Sequence, residues 1–168
     1  MSDDPTAGIE PKLPALAEAV AGFARMALAD KALLAAAWPV LGLSALIVRL
    51  FAFRRLAPLL GRQLGAVGCV PVVNAGQEAR ARMVRRAVRR AARIAPWRND
   101  CLPQAFAAAL LCRMLGVPLA THLGVRLGEA KPMEAHAWTC AGPVAVTGGE
   151  GFDQWVPVSC FLAAPPPH

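Results

Sequence analysis

Apolar residues recur every three or four positions over residues 13 to 30 (Leu13, Leu16, Ala17, Val20, Phe23, Ala24, Met26, Ala27), the period of an amphipathic helix. Asp30 stands where it would cap a second helix beginning at Lys31, and Pro39 with Gly42 predicts a kink or break inside that helix. A third helical piece is expected over residues 50 to 64, where Leu56, Leu59 and Leu60 alternate with Arg54, Arg55 and Arg62 and Pro58 must lie near one end. Residues 65 to 76 carry Gly68, Pro71, Asn74 and Gly76 and read as a connection. The clearest helix follows over residues 77 to 94. Met83, Val84, Ala87, Val88, Ala91 and Ala95 form its apolar side, and Arg82, Arg85 or Arg86, Arg89 and Arg93 form a basic stripe opposite.

Asn99 or Asp100 is positioned to cap a further helix from Cys101 to about residue 115, with Pro103 tolerated in its first turn and Gly116-Val117-Pro118 ending it. The period then changes to two: Leu119, Thr121, Leu123, Val125 and Leu127 alternate with Ala120, His122, Gly124 and Arg126. Residues 135 to 140, 144 to 147 and 154 to 161 are further short strands between Gly and Pro turns. The pattern predicts an α+β fold in which a small antiparallel sheet packs on the Cys101 helix. The expected organisation is an apolar helical arm over residues 1 to 64, a connection over 65 to 76, a core over 77 to 162 and a disordered tail over 163 to 168.

Charge is uneven. Residues 1 to 30 are net 3 negative, 31 to 99 net 12 positive and 100 to 168 net 2 negative, so the middle third carries all the excess. With 56% hydrophobic and 17% charged residues the chain is too apolar for general disorder. Its acidic start lacks the features of a secretory signal. Residues 32 to 48 hold 17 uncharged positions between Lys31 and Arg49, just short of the roughly 18 to 20 needed to span a bilayer, and read as a buried or interfacial helix pair, with a transmembrane helix as the lesser alternative. Peripheral membrane contact is therefore expected, if anywhere, through residues 31 to 60 of an otherwise cytoplasmic protein. The arginine stripe has the charge to grip phosphates, but no aromatic residues are interleaved for base stacking, which argues against nucleic acid. Five well-separated cysteines (Cys69, Cys101, Cys112, Cys140, Cys160), with no CxxC pair and no histidine at zinc-ligand spacing, point to reduced thiols and no metal.

Among these thiols Cys101 stands apart. At the start of a helix, unpaired amides and the positive end of the dipole favour a thiolate. His136, 35 residues on and on a predicted strand, is placed to act as its base and later as proton donor to a leaving group. The amide of Cys101 with a second donor would form an oxyanion hole. Cys112 in mid-helix, Cys140 and Cys160 on strands and Cys69 in a connection read as packed small hydrophobes, and His122 as a structural or surface histidine. Trp97, Asn99, Asp100 and Trp138 are candidates to line a cleft. The expectation for Trp138 is a position on the strand face opposite His136, packed against the Cys101 helix; Trp97 is read equally as cleft border or core.

Four ordered blocks carry a resemblance: Pro96-Trp97-Arg98-Asn99-Asp100-Cys101-Leu102-Pro103-Gln104-Ala105, Leu115-Gly116-Val117-Pro118, Leu123-Gly124-Val125-Arg126 and Ala135-His136-Ala137-Trp138. Together they closely resemble the leader peptidase of lasso-peptide biosynthesis, a transglutaminase-like cysteine protease, over about residues 50 to 161. The resemblance implies a papain-like core in which Cys101 and His136 cleave the leader from a ribosomally made precursor, without metal or organic cofactor. It also implies a preference for threonine two residues before the cleavage point. The implied partners are the precursor's leader region, a separate small winged-helix protein that recognises it, and an ATP-dependent, asparagine-synthetase-like cyclase. A separate recognition protein is expected because residues 1 to 50 read as apolar helix, too short for the leader-binding module that some members carry in front of the protease. The family often places an aspartate about a dozen residues after the histidine; here Gly148 occupies that point, and Glu150 and Asp153 are the nearest acidic candidates beside a plain Cys-His dyad. Three rivals stay open: an acyl or amide transferase on the same fold, a catalytically silent peptide-binding scaffold, and a membrane-associated or nucleic-acid-binding helical protein resting on residues 31 to 94.

Overall fold

The computed structural model describes residues 26 to 127, 132 to 149 and 152 to 164. Most of the helix expected over 13 to 30, Glu150, and the tail from 165 onward lie outside the described residues. Contacts divide the chain into two units, residues 1 to 32 and 33 to 168. The helix α1 spans Leu28–Leu50 without the break expected at Pro39. Pro39 removes a hydrogen bond to the carbonyl of Ala35, but both residues lie on the exposed side, where water can satisfy that carbonyl.

The third predicted helix is cut short. A four-residue α2, Phe53–Leu56, passes at once into a 3-10 turn, Ala57–Leu60, because Pro58 lacks the N–H that a continuing helix requires. Strand β1, Arg62–Gly65, takes in residues 62 to 64 of the expected helix and the first residue of the expected connection, and pairs with the last strand. After the connection, α3 runs from Ala75 to Ile94 and opens with a capping box: the Asn74 side chain accepts from the Gln77 amide at 2.9 Å, and the Gln77 side chain accepts from the Asn74 amide at 3.0 Å. Its predicted apolar side is the buried one, through Ala81, Val84, Ala87, Val88 and Ala91.

The second half follows the predicted order closely. Helix α4 spans Cys101–Met114, and strands β2 (Leu119–Arg126), β3 (Glu134–Ala141), β4 (Val144–Thr147) and β5 (Val156–Ala163) follow. The sheet order is β1-β5-β2-β3-β4, and every pairing is antiparallel. One face of the sheet, with Leu119, Leu123, Ala141, Val146 and Phe161, joins α3 and α4 in a single core that includes Val84, Val88, Phe106, Leu111 and Cys112. The other face carries His122 beside Trp138 and Cys160, and Gly124 beside His136, as the register of β2 with its two neighbours sets them. The connection after β1 covers part of that face: Cys69 donates its amide to His122 Nε2 at 3.3 Å and sets its sulfur 3.6 Å from that of Cys160. This is an α+β fold with helices packed on one side of a small antiparallel sheet, as expected.

Candidate active site

Cys101 is the first residue of α4 and is half-buried. Asp100 holds the N-cap position, but its side chain makes no capping hydrogen bond; it lies on the surface 3.7 Å from Arg98. The first-turn amides of α4 are thus not taken up by a cap. Asn99 plays a structural part, since its side-chain amide donates to the carbonyls of Ala92 at 3.1 Å and Trp97 at 3.2 Å, tying the end of α3 to the segment before Cys101. Gln104, one turn into α4, donates to the Asn99 carbonyl at 2.8 Å and locks the same junction from the other side.

His136 is held by a group that the side-chain pattern could not name. Its Nε2 lies 2.8 Å from the backbone carbonyl of Gly148, at the position where an orienting acid was sought. A carbonyl only accepts, so the proton belongs on Nε2 and the neutral ring keeps a lone pair on Nδ1. Gly148 fits there because its φ of 62° is left-handed and because an added Cβ would stand 2.4 Å from the Ala137 carbonyl and 3.0 Å from His136 Nε2. Asp153, a candidate for the orienting role, lies exposed in the 3-10 turn Phe152–Gln154.

The ring planes of His136 are fixed by tryptophans. Trp155 stacks on it at 4.9 Å and Trp138 at 6.2 Å, and Trp138 continues the stack onto His122 at 5.3 Å. Trp138 therefore lies on the same face as His136, not opposite and against α4 as expected; residues two apart on a strand share a face. Arg126 braces the assembly, with its guanidinium 4.4 Å above the Trp155 ring and its nitrogens bonded to Glu134 at 2.8 Å and Gln154 at 3.0 Å. Gly124 makes room for this stack, since a Cβ there would sit 2.7 Å from the Trp138 ring and 3.0 Å from Trp155. Trp155 and Arg126 were absent from the expected site. Arg126 closes one of the blocks that carry the resemblance, whereas Trp155 had no signal beyond its place in a predicted strand.

Two hollows flank the start of α4. The first, of about 370 Å³, is lined by His136, by Gln104 from the first turn of α4, by Arg85 and Arg89 of α3, and by residues 145 to 149. It lies at the β4 edge of the sheet, which is how a histidine on one face and helices on the other come to share it. Cys101 is not among its described lining residues. The second is a groove between α1 and the segment around Cys101, lined by Trp38, Leu43, Leu46, Trp97, Asp100 and Leu102 among others. Trp97 is mainly a clamp here: its ring meets Trp38 edge-on at 4.9 Å and rests against Gly42 of α1.

The remaining thiols are of a different kind. Burial pushes Cys112 and Cys160 up to about 12 and Cys140 to about 11, so all three are protonated at neutral pH. His122 is buried, and burial lowers its pKa. Among the described residues no group of three or more His, Cys, Asp or Glu is arranged to hold a metal ion.

An α+β core with a cysteine opening the helix packed on its sheet and a backbone-anchored histidine on the neighbouring strand is the architecture of a transglutaminase-like protein. The chain belongs to that family: the model of the transglutaminase-like superfamily matches residues 47 to 159. This is the family associated with lasso-peptide leader peptidases, and membership links the chain to cysteine-protease-like enzymes and to the multi-protein maturation of ribosomally made peptides. No curated protein and no solved structure gives a match.

Proposed function

We propose that the protein is a cysteine peptidase that removes the leader from a ribosomally made lasso-peptide precursor. Cys101 is the nucleophile and His136 the base. The Cys101 sulfur attacks the carbonyl carbon of the last leader residue while Nδ1 of His136 holds the thiol proton. The same nitrogen then delivers that proton to the departing amine of the core peptide, the C–N bond breaks, and a thioester remains on Cys101. Water, deprotonated by the freed imidazole, cleaves the thioester and restores the thiol. First-turn amides of α4, including that of Cys101, face the oxyanion that forms in both steps. Glu150 and Asp153 are not needed, because the Gly148 carbonyl fixes the histidine's tautomer.

One observation carries the reading: His136 shares a cavity with Gln104, which belongs to the first turn of the helix that Cys101 opens. The reading also includes a separate leader-binding protein and an ATP-dependent cyclase as partners, with the new core amine passing to the cyclase.

The test is mass analysis of precursor incubated with the chain and its leader-binding partner. Cys101→Ala and His136→Ala should each leave the precursor whole, a loss of at least about 10³-fold. Iodoacetamide at neutral pH should modify Cys101 and spare Cys112, Cys140 and Cys160. Cleavage that survives Cys101→Ala refutes the peptidase mechanism. A product extended by an added amine, in place of the free acid, identifies an acyl transferase.

A further inference from the structure

We propose that Cys69 and Cys160 form a modification site, which hydrogen peroxide converts to an intramolecular disulfide that fastens the connection after β1 to strand β5. Their sulfurs lie 3.6 Å apart, with the Cys160 S–H directed at the Cys69 sulfur. A disulfide is about 2.0 Å long, so two sulfurs already in contact need to close by about 1.6 Å.

The main chain holds the pair in place. Cys160 stands opposite His122 in the pairing of β5 with β2, and the Cys69 amide donates to that same histidine at 3.3 Å. Two residues further on, the Pro71 carbonyl accepts from the Gly142 amide at 3.1 Å. The connection is thus tied down at Cys69 and again at Pro71 before any bridge forms, so little ordering remains for the bridge to impose. Cys140, the third thiol on this face, directs its S–H at the Cys69 carbonyl at 3.9 Å, which leaves Cys160 as the sulfur in contact with Cys69. Cys101 and Cys112 belong to α4, which packs on the opposite face of the sheet.

The two thiols differ in access, and that difference sets the order of events. Cys160 is fully buried, whereas Cys69 is half-buried and helps to line a hollow of about 330 Å³ with His122 and Trp138. The Cys69 sulfur attacks one peroxide oxygen, the O–O bond breaks, and the departing hydroxide takes the thiol proton and leaves as water. The Cys160 sulfur then displaces the hydroxyl from the Cys69 sulfenic acid, and its own proton departs with that hydroxyl as a second water. Two thiols are oxidised, one peroxide is reduced, and an added dithiol reverses the bond. The bridge spans 91 positions of sequence, enclosing α3, α4 and β2 to β4, and so restricts the unfolded chain. It also keeps the Cys69 amide on His122, whose ring supports Trp138 and, through it, His136.

The test uses the full-length Cys101→Ala protein, so that its outcome is independent of the peptidase reading. After treatment with a few equivalents of hydrogen peroxide at neutral pH and blocking of the remaining thiols with N-ethylmaleimide, peptide mass mapping without reductant should show Cys69 joined to Cys160. Dithiothreitol should restore both thiols. The bridge should survive Cys140→Ser and vanish in Cys160→Ala, where dimedone should instead trap Cys69 as its sulfenic acid. The bridged protein should unfold roughly 5 °C or more above the reduced one, a rise that Cys69→Ala treated in the same way lacks. A bridge from Cys69 to Cys140, Cys69 oxidised with Cys160 still free, or an unchanged unfolding temperature in the bridged protein would each overturn the proposal. Cleavage of precursor that survives Cys101→Ala would refute the peptidase reading and leave this site standing.

Discussion

His122 shows how one buried side chain ties the fold to pH. Its Nε2 accepts the Cys69 amide at 3.3 Å and its ring lies flat on Trp138, so the native structure is built around the neutral imidazole. Burial lowers its pKa from the ordinary 6.5. The Cys69 N–H points at the Nε2 lone pair, a bond that only the neutral ring can accept, so it works with burial and the net direction is down. Above pH 6.5 the ring is neutral in both folded and unfolded chains and the contribution is fully present. As pH falls through the window between 6.5 and the lower folded value, the unfolded chain takes up the proton first and stability is lost. Urea unfolding should show lower stability at pH 5.5 than at pH 7.5, a decrease that His122→Phe lacks. An equal decrease in both proteins would assign the effect to other groups. His136 is the contrasting case at this scale: the group that fixes its tautomer is a main-chain carbonyl. No side-chain pattern announces a carbonyl, so the group that meets His136 Nε2 at residue 148 could not be read from the sequence.

The elements were legible where one period runs unbroken. The arginine helix, the Cys101 helix and the alternation from Leu119 to Arg126 each repeat a single spacing, and the structure places all three as read. Legibility failed where two signals compete. Leucines and arginines over residues 50 to 64 fit a helix locally, yet Pro58 stops it and the sheet recruits Arg62–Gly65 as an edge strand, a pairing with residues about 100 positions away that no local window contains. The aromatic stack was missed for the same reason, since Trp138, Trp155 and Arg126 come from β3, β5 and β2 or their ends and meet only through strand register. That register makes Gly124 the weak point of the site. Gly124→Ala should push the Trp138 and Trp155 rings apart, destabilise the protein by about 1–3 kcal/mol, and lower precursor cleavage about tenfold or more while the fold persists. Thermal unfolding with near-UV circular dichroism would read the first effect and cleavage assays the second. Unchanged near-UV signal and activity would mean that the stack does not position His136.

For the chain as a whole, the open question is what its first long helix faces. Among the described residues α1 is the one helix long and apolar enough to cross a membrane, with 23 residues and a mean hydropathy of 1.9 over its best window, of which 17% is buried. A core helix of that composition would be mostly covered, whereas Trp38, Leu43, Leu46 and Leu50 are exposed. Against a full crossing, residues 33 to 50 belong to the same compact unit as the sheet and α4, and Trp97 grips α1 through Trp38 and Gly42. The family match itself begins at residue 47, inside α1. A helix so anchored to the loop before Cys101 is better suited to lying on a lipid surface with its uncovered side, and Arg49, Arg54 and Arg55 near its end favour anionic headgroups. The expected outcome is co-sedimentation with vesicles containing about a third phosphatidylserine, weakened by high salt and by Leu43→Ser with Leu46→Ser, and little binding to purely zwitterionic vesicles. Extraction from cell membranes only by detergent would instead mean that α1 inserts, and that its contact with Trp97 opens when it does. If the protein stays soluble under every condition, the exposed leucines are left for a protein partner such as the cyclase. The groove that α1 forms with Trp97, Asp100 and Leu102 beside Cys101 would then place that partner next to the newly freed core amine.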